Sequence, residues 1–271
     1  MIPTNNTSFI KGAWAITEQG MTSLLRSAKL AMQANFDMDD FFNTRDTVAI
    51  DDHNIAHIDI KGALMDNAPG IFEKIGCTDY RTIREEIAVA QEAGATGIMF
   101  NIDSPGGTVA GLEEASAAIA SASVPTIAHV DGMGCSAAYH LAASCNQIGA
   151  SPSADVGNIG TVLAWYDDSE FLAKLGFKAE VITNEGADLK GTFRDSPMSE
   201  SQREFLQEET NRLGDAFQQH VSANRPNIDS EVFRAGWYSG DRAGELGLVD
   251  AICTRTEARD QLAQVIQLKS E

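Results

Sequence analysis

Apolar positions along this chain follow two different periods, and from residue 47 onward the period switches repeatedly. Val48-Ala49-Ile50 and Ile55-Ala56-His57-Ile58-Asp59-Ile60 read as two strands separated by the turn-forming Asp51-Asp52. Thr78–Ala93 has helical spacing, with Thr78 as its N-cap and Gly94 just past its end. Gly97–Ile102 is a short apolar strand, and Gly111–Ala122 an alanine-rich helix stopped by Val124-Pro125. Thr126–Val130 reads as the next strand, with a helix over about Cys135–Ser144 after it. Ala179–Thr183 is a further strand and Ser199–Ala223 a long helix. Strand–helix–strand units in series imply right-handed crossovers and a largely parallel, buried sheet, so the expected fold class is α/β.

Residues 1–50 have a different texture. Ala13–Ala34 sets Ile16, Met21, Leu24, Leu25, Ala28, Leu30 and Ala31 at helical spacing, which predicts one amphipathic helix. The acidic turn Asp37–Asp40 and a polar stretch follow it. The division expected is a helical arm and linker over 1–50 and one domain over 51–271. The arm either packs on that domain or reaches a partner or neighbouring subunit.

Composition removes several functions. With 271 residues, 43% of them apolar, the chain can bury a sizeable core. Lys and Arg total 20 against 39 acids, a net charge of −19. That balance argues against nucleic-acid binding and against docking on an anionic membrane face. No stretch approaches the roughly 18–20 apolar residues of a membrane helix. The start, Met1-Ile2-Pro3-Thr4-Asn5-Asn6, lacks the basic and apolar regions of a secretory signal, so a cytoplasmic location is expected. Cys77, Cys135, Cys145 and Cys253 show no zinc spacing and read as buried free thiols. No metal or cofactor is expected.

The chemistry-bearing residues sit in two glycine-rich turns, each after a strand, where open parallel sheets place their sites. They are Asp103-Ser104-Pro105-Gly106-Gly107 and Asp131-Gly132-Met133-Gly134-Cys135-Ser136-Ala137-Ala138. Such turns either serve compactness alone or present N–H groups to an oxyanion, here from Gly107 and Ala137 beside the hydroxyl of Ser136. Neither is a P-loop or a GxGxxG turn, and Gly134–Ala138 misses the GxSxG elbow at its last position. His140, one turn beyond Ser136, reads as a structural residue. Among the lysines after Ser136, Lys190 stands out because it lies in a loop, Gly186–Thr192, just past an expected strand.

Together these segments resemble the S49 peptidases, the signal peptide peptidase A-like proteases. The matching pieces run in order from Ile58-Asp59-Ile60-Lys61-Gly62 through Asp103–Gly107, Gly134–Ala138 and Gly157-Asn158-Ile159-Gly160-Thr161-Val162. Glu185–Lys190 ahead of Pro197-Met198-Ser199, then Tyr238-Ser239-Gly240 and Gly247-Leu248-Val249-Asp250, complete the set. Within the family, the stretch Pro105–Gly111 and the Cys-Ser-Ala nucleophile segment are most similar to phage head-maturation proteases of the lambda minor capsid protein C type.

The resemblance implies a ClpP/crotonase-like fold and a serine endopeptidase with a Ser–Lys dyad. Ser136 would be the nucleophile, Lys190 the general base, and Gly107 and Ala137 the oxyanion donors, with Gly106 and Asn158 in support. Where the family usually has a serine that positions the lysine, this chain has Asn158, whose amide oxygen either takes over that role or misplaces the base. The resemblance further implies a polypeptide substrate, a capsid or scaffold protein, and a homo-oligomer in which adjacent protomers share each site. Two other readings of the same fold are a catalytically silent capsid-assembly component and a crotonase-like acyl-CoA enzyme.

Overall fold

The computed structural model of the chain describes residues 14–18, 20–22, 48–68, 72, 76–165, 167–178, 180, 182–190 and 197–270. In chain order the elements are β1 (Trp14–Ile16), β2 (Ala49–Ile50), β3 (Ile55–Lys61), β4 (Leu64–Met65), β5 (Thr78–Asp79) and α1 (Tyr80–Glu92). Then come β6 (Gly97–Ser104), β7 (Gly106–Thr108), α2 (Leu112–Ala120), β8 (Thr126–Cys135), α3 (Ala137–Ala143), β9 (Gln147–Ala150) and β10 (Asp155–Gly157). The last group is α4 (Ser169–Lys174), α5 (Glu200–Asn224), a 3-10 turn at Ser230–Arg234, β11 (Trp237–Ser239), α6 (Gly240–Glu245), β12 (Ala251–Ile252) and α7 (Arg255–Ser270).

The main sheet runs β11-β10-β8-β6-β3-β2, with β9 joining β8 to β12. Its interior pairs, β3–β6, β6–β8, β8–β9 and β8–β10, are all parallel, while β2 and β11 close the edges antiparallel. The expected α/β class with a largely parallel sheet is what the structure has. Alternation along β6 explains the layering. Ile98, Phe100 and Ile102 point to one face with Ile83, Ile87, Leu112 and Ile119 of α1 and α2. Met99 points to the other, against Ala258 and Leu262 of α7. Both faces are therefore buried, as a parallel sheet requires. A second, smaller sheet, β1-β7-β4-β5, lies over the C-terminal ends of β3 and β6. The four cysteines are buried and unbridged.

Several expectations need correction. Trp14–Ile16 is a strand and not the start of a helix. The apolar residues Trp14 and Ile16 alternate around Ala15, and the free edge of β7 supplies the partner that a lone helix would lack. The rest of the expected helix over 13–34 lies largely outside the described residues. The cap of α1 is Asp79, whose carboxylate accepts from Arg81 N at 2.8 Å, while Thr78 belongs to β5. β8 does not stop at Val130 but continues to Cys135 through a register shift against β6, so α3 begins at Ala137. Of the strand expected over 179–183, residues 180, 182 and 183 are described and are not in a strand. Ile182 there is 87% exposed, and among the described residues no strand pairs with it.

Candidate active site

Two strand ends and one helix start converge on Ser136. β8 delivers it directly into α3, and the turn between them forces φ 56° and ψ −123°, a conformation that side-chain-bearing residues rarely adopt. Ser136 N donates to Gly157 O at 2.7 Å and Ser136 O accepts from His140 N at 3.0 Å, so both backbone ends are pinned. Every residue of α3 is buried. The Oγ of Ser136 is fully buried too and has no hydrogen-bond partner among the described residues. A buried hydroxyl without a partner costs about 1–3 kcal/mol, which makes this atom a candidate reacting group.

Gly106 closes the site from below. Its φ is +102°, and a Cβ there would sit 2.9 Å from Ser136 Cβ and 3.0 Å from Cys135 O, so no other residue fits. Ser104 holds it in place, accepting from Gly106 N at 3.2 Å while donating to Gly62 O at 2.6 Å. Gly107 lies in β7 between β4 and β1, where a Cβ would overlap Leu64 O at 2.0 Å. Thr17 N donates to Pro105 O at 3.0 Å, and the alternation of antiparallel bonding then gives the Gly107 N–H to the carbonyl of Ala15. Ala137 opens α3, so its N–H has no intrahelical acceptor.

Asn158 sits beside the site at φ 55°, with N bonded to Gly236 O and Nδ2 donating to Ala235 O at 2.9 Å. Among the described residues, no donor bonds its Oδ1. Lys190 is not brought onto Ser136 within the chain. It is exposed, in a turn where its N–H donates to Ala187 O. The expected grouping is therefore assembled for Ser136, Ala137, Gly106, Gly107 and Asn158, and left open for Lys190.

Two neighbours are excluded as nucleophile or base. Burial, and next the Asp155 carboxylate, push the Cys135 thiol up to about 12, so it stays protonated. His140 stacks on His220 at 3.7 Å between ring centroids, and its Nε2 lies 3.6 Å from Glu113, while neither reaches Ser136. The structural role read for His140 agrees with this placement. Two contributors escaped the sequence reading, Ser104 and the β1 strand. The serine was visible in Asp103-Ser104-Pro105 as a polar residue at a strand end. The strand was hidden by the longer helical periodicity behind it.

Among the described residues no cluster of His, Cys, Asp and Glu could hold a metal ion, and no helix is long and apolar enough to cross a membrane. The sequence model of peptidase family S49 matches residues 118–269, more than half of the chain. This chain is an S49 family member. The matched region holds Ser136, Asn158 and Lys190.

As an S49 protein it is 29% identical over 217 residues to capsid assembly protease C of Escherichia phage lambda, covering 76% of this chain and 48% of that one. It is 24% identical over 222 residues to the head-tail preconnector protein GP5 of Enterobacteria phage P21, covering 79% and 44% respectively. The chain spans about half the length of the curated relatives it matches. A solved membrane-bound stomatin-specific protease in mutant form aligns with a TM-score of 0.47 at 13% identity, covering 75% of this chain and 80% of that one.

Proposed function

We propose that the chain is a serine endopeptidase in which Ser136 is the nucleophile and Lys190, lent by an adjacent protomer, is the general base. The observation that carries the reading is the state of Ser136: a buried hydroxyl, unpaired, on a strained backbone at a helix start. Neutral Lys190 would take the Ser136 proton as Oγ attacks the scissile carbonyl carbon. The oxyanion would draw on the N–H groups of Ala137 and Gly107, while Gly106, whose N–H is taken by Ser104, only shapes the turn. The amine product would leave with that proton, and water would then hydrolyse the acyl-enzyme.

A lysine works as a base near neutral pH only if its pKa falls from about 10.4 to about 7–8, a change of about 4 kcal/mol in differential solvation. Lys190 is exposed in this chain, and in this reading another copy supplies the required desolvation. The surface of its segment supports that source. Phe171, Leu175, Phe177 and Ile182 are more than half exposed, an apolar stretch that a second copy would cover. The names of the lambda and P21 relatives favour a capsid or scaffold protein as substrate.

Mixing separates this reading from a base in the same protomer. Ser136→Ala and Lys190→Ala proteins should each be inactive on a peptide substrate. Co-assembled in equal amounts, they should regain about a quarter of the wild-type sites, each pairing an intact Ser136 with an intact neighbouring Lys190. Mixtures that co-assemble yet stay silent, beside an active wild type, would overturn the shared dyad.

A further inference from the structure

The cleft above Ser136 already holds a peptide strand, and the strand belongs to the same chain. β1 lies antiparallel to β7, with Trp14 opposite Thr108, Ala15 opposite Gly107 and Ile16 opposite Gly106. Its other edge bonds to Val162, with Trp14 N donating to Val162 O at 3.0 Å and Val162 N donating to Trp14 O at 2.8 Å. β1 is therefore held on both edges, between the glycine strand and the segment that follows Asn158. The Ala15 carbonyl oxygen lies 2.2 Å from the point a Cβ on Gly106 would occupy, and Ser136 Cβ lies 2.9 Å from the same point. A backbone carbonyl thus rests beside the serine, on the N–H of Gly107.

The side chains fit as well. Trp14 and Ile16 are nearly fully buried in a small cluster with Ala63, Met65, Phe72 and Cys77. Thr17 and Glu18 continue along the cleft wall made by Met133, Asp155, Asn158 and Trp237. Small Ala15 is the residue that faces Gly107. Nothing of Ser136 reaches solvent beneath this cover.

We propose that Trp14–Glu18 is a strap occupying the peptide cleft of the site, and that any other strand reaches Ser136 only when the strap leaves. The proposal rests on the Ser136 reading for its effect on reactivity, but the occupancy itself does not need Ser136 to react. The same geometry names the peptides that compete with the strap: extended segments with large apolar residues on either side of a small one, read off Trp14-Ala15-Ile16.

Three measurements on the full chain test it. Trp14 and Thr108 are directly opposed at a position without mutual hydrogen bonds, where a pair of cysteines forms a disulfide readily. In a Trp14→Cys/Thr108→Cys protein, a fluorophosphonate should label Ser136 only after reduction. Thr17→Pro deletes the donor to Pro105 O and should raise the labelling rate about fivefold through more frequent opening. In wild type, adding a synthetic peptide with the sequence of residues 11–20 should speed hydrogen exchange at the chain's own Trp14 and Thr17 amides while leaving Val162 protected. Equal labelling of the oxidised and reduced double mutant would overturn the strap. If no form is labelled, the fault lies with the Ser136 reading, and the exchange experiment alone decides: unchanged Trp14 and Thr17 amides at saturating peptide would refute occupancy.

Discussion

Ser136→Gly should make this protein more stable while abolishing its chemistry. Ser136 stands at φ 56° and ψ −123°, where a Cβ costs about 1–3 kcal/mol and glycine almost nothing. Its buried Oγ lacks a partner, which costs about another 1–3 kcal/mol. Glycine returns roughly 0.5–1 kcal/mol of this through the greater freedom of the unfolded chain. The net expectation is a gain of about 1–5 kcal/mol, read as a shift of the urea midpoint at constant slope. Ser136→Ala keeps the backbone strain and loses only the hydroxyl, so it should gain about 1–2 kcal/mol. The difference between the two variants isolates the strain of the strand-to-helix turn. Variants that both match or fall below wild type would refute the reasoning, because the hydroxyl would then be paired and the turn relaxed.

Other perturbations follow from the same contacts. Gly107→Ala drives a Cβ into Leu64 O and should cost about 2–4 kcal/mol in denaturant unfolding, with no rescue by a larger residue. Arg225 is buried, bonded to Asp250 at 2.7 Å, so Arg225→Ala should cost about 2–3 kcal/mol, while a conservative Arg225→Lys should recover only part of it. Burial, and next the His140 ring stacked on it, push His220 down to about 4 from its ordinary 6.5. Between those values the unfolded chain binds the proton and the folded chain does not. Stability therefore rises with pH through this window and is lost on acidification. Because part of the ring meets water, the loss should be about 1–2 kcal/mol, measured as urea midpoints at neutral pH and near pH 4, and His220→Phe should flatten it.

Much of this architecture is legible in the sequence. The buried strands β3 and β6 and the helices α2 and α5 announced themselves because their burial is set locally, by period and by caps such as Ser199, which accepts from Gln202 N at 3.3 Å. The need for glycine at 106 and 107 is legible as well, since a left-handed φ at the first and a backbone contact at the second leave glycine and little else. The failures share one physical cause. β1 is three residues long and owes its form to β7 and Val162, partners far along the chain. No local period encodes such a pairing, and the helical spacing that follows Ile16 outweighed it. β8 ran past its expected end for a similar reason, because Asp103 on β6 accepts from Met133 N at 3.0 Å and keeps the glycine-rich segment extended. Lys190 was picked by its motif, and the protomer alone does not give it a place beside Ser136.

The most direct test of the central claim is the site of covalent modification by a fluorophosphonate, located by peptide mass mapping in the full chain. The account predicts a single adduct on Ser136, absent from Ser136→Ala and strongly diminished in Lys190→Ala. An adduct on another residue, or full labelling that survives Lys190→Ala in an intact assembly, would contradict it.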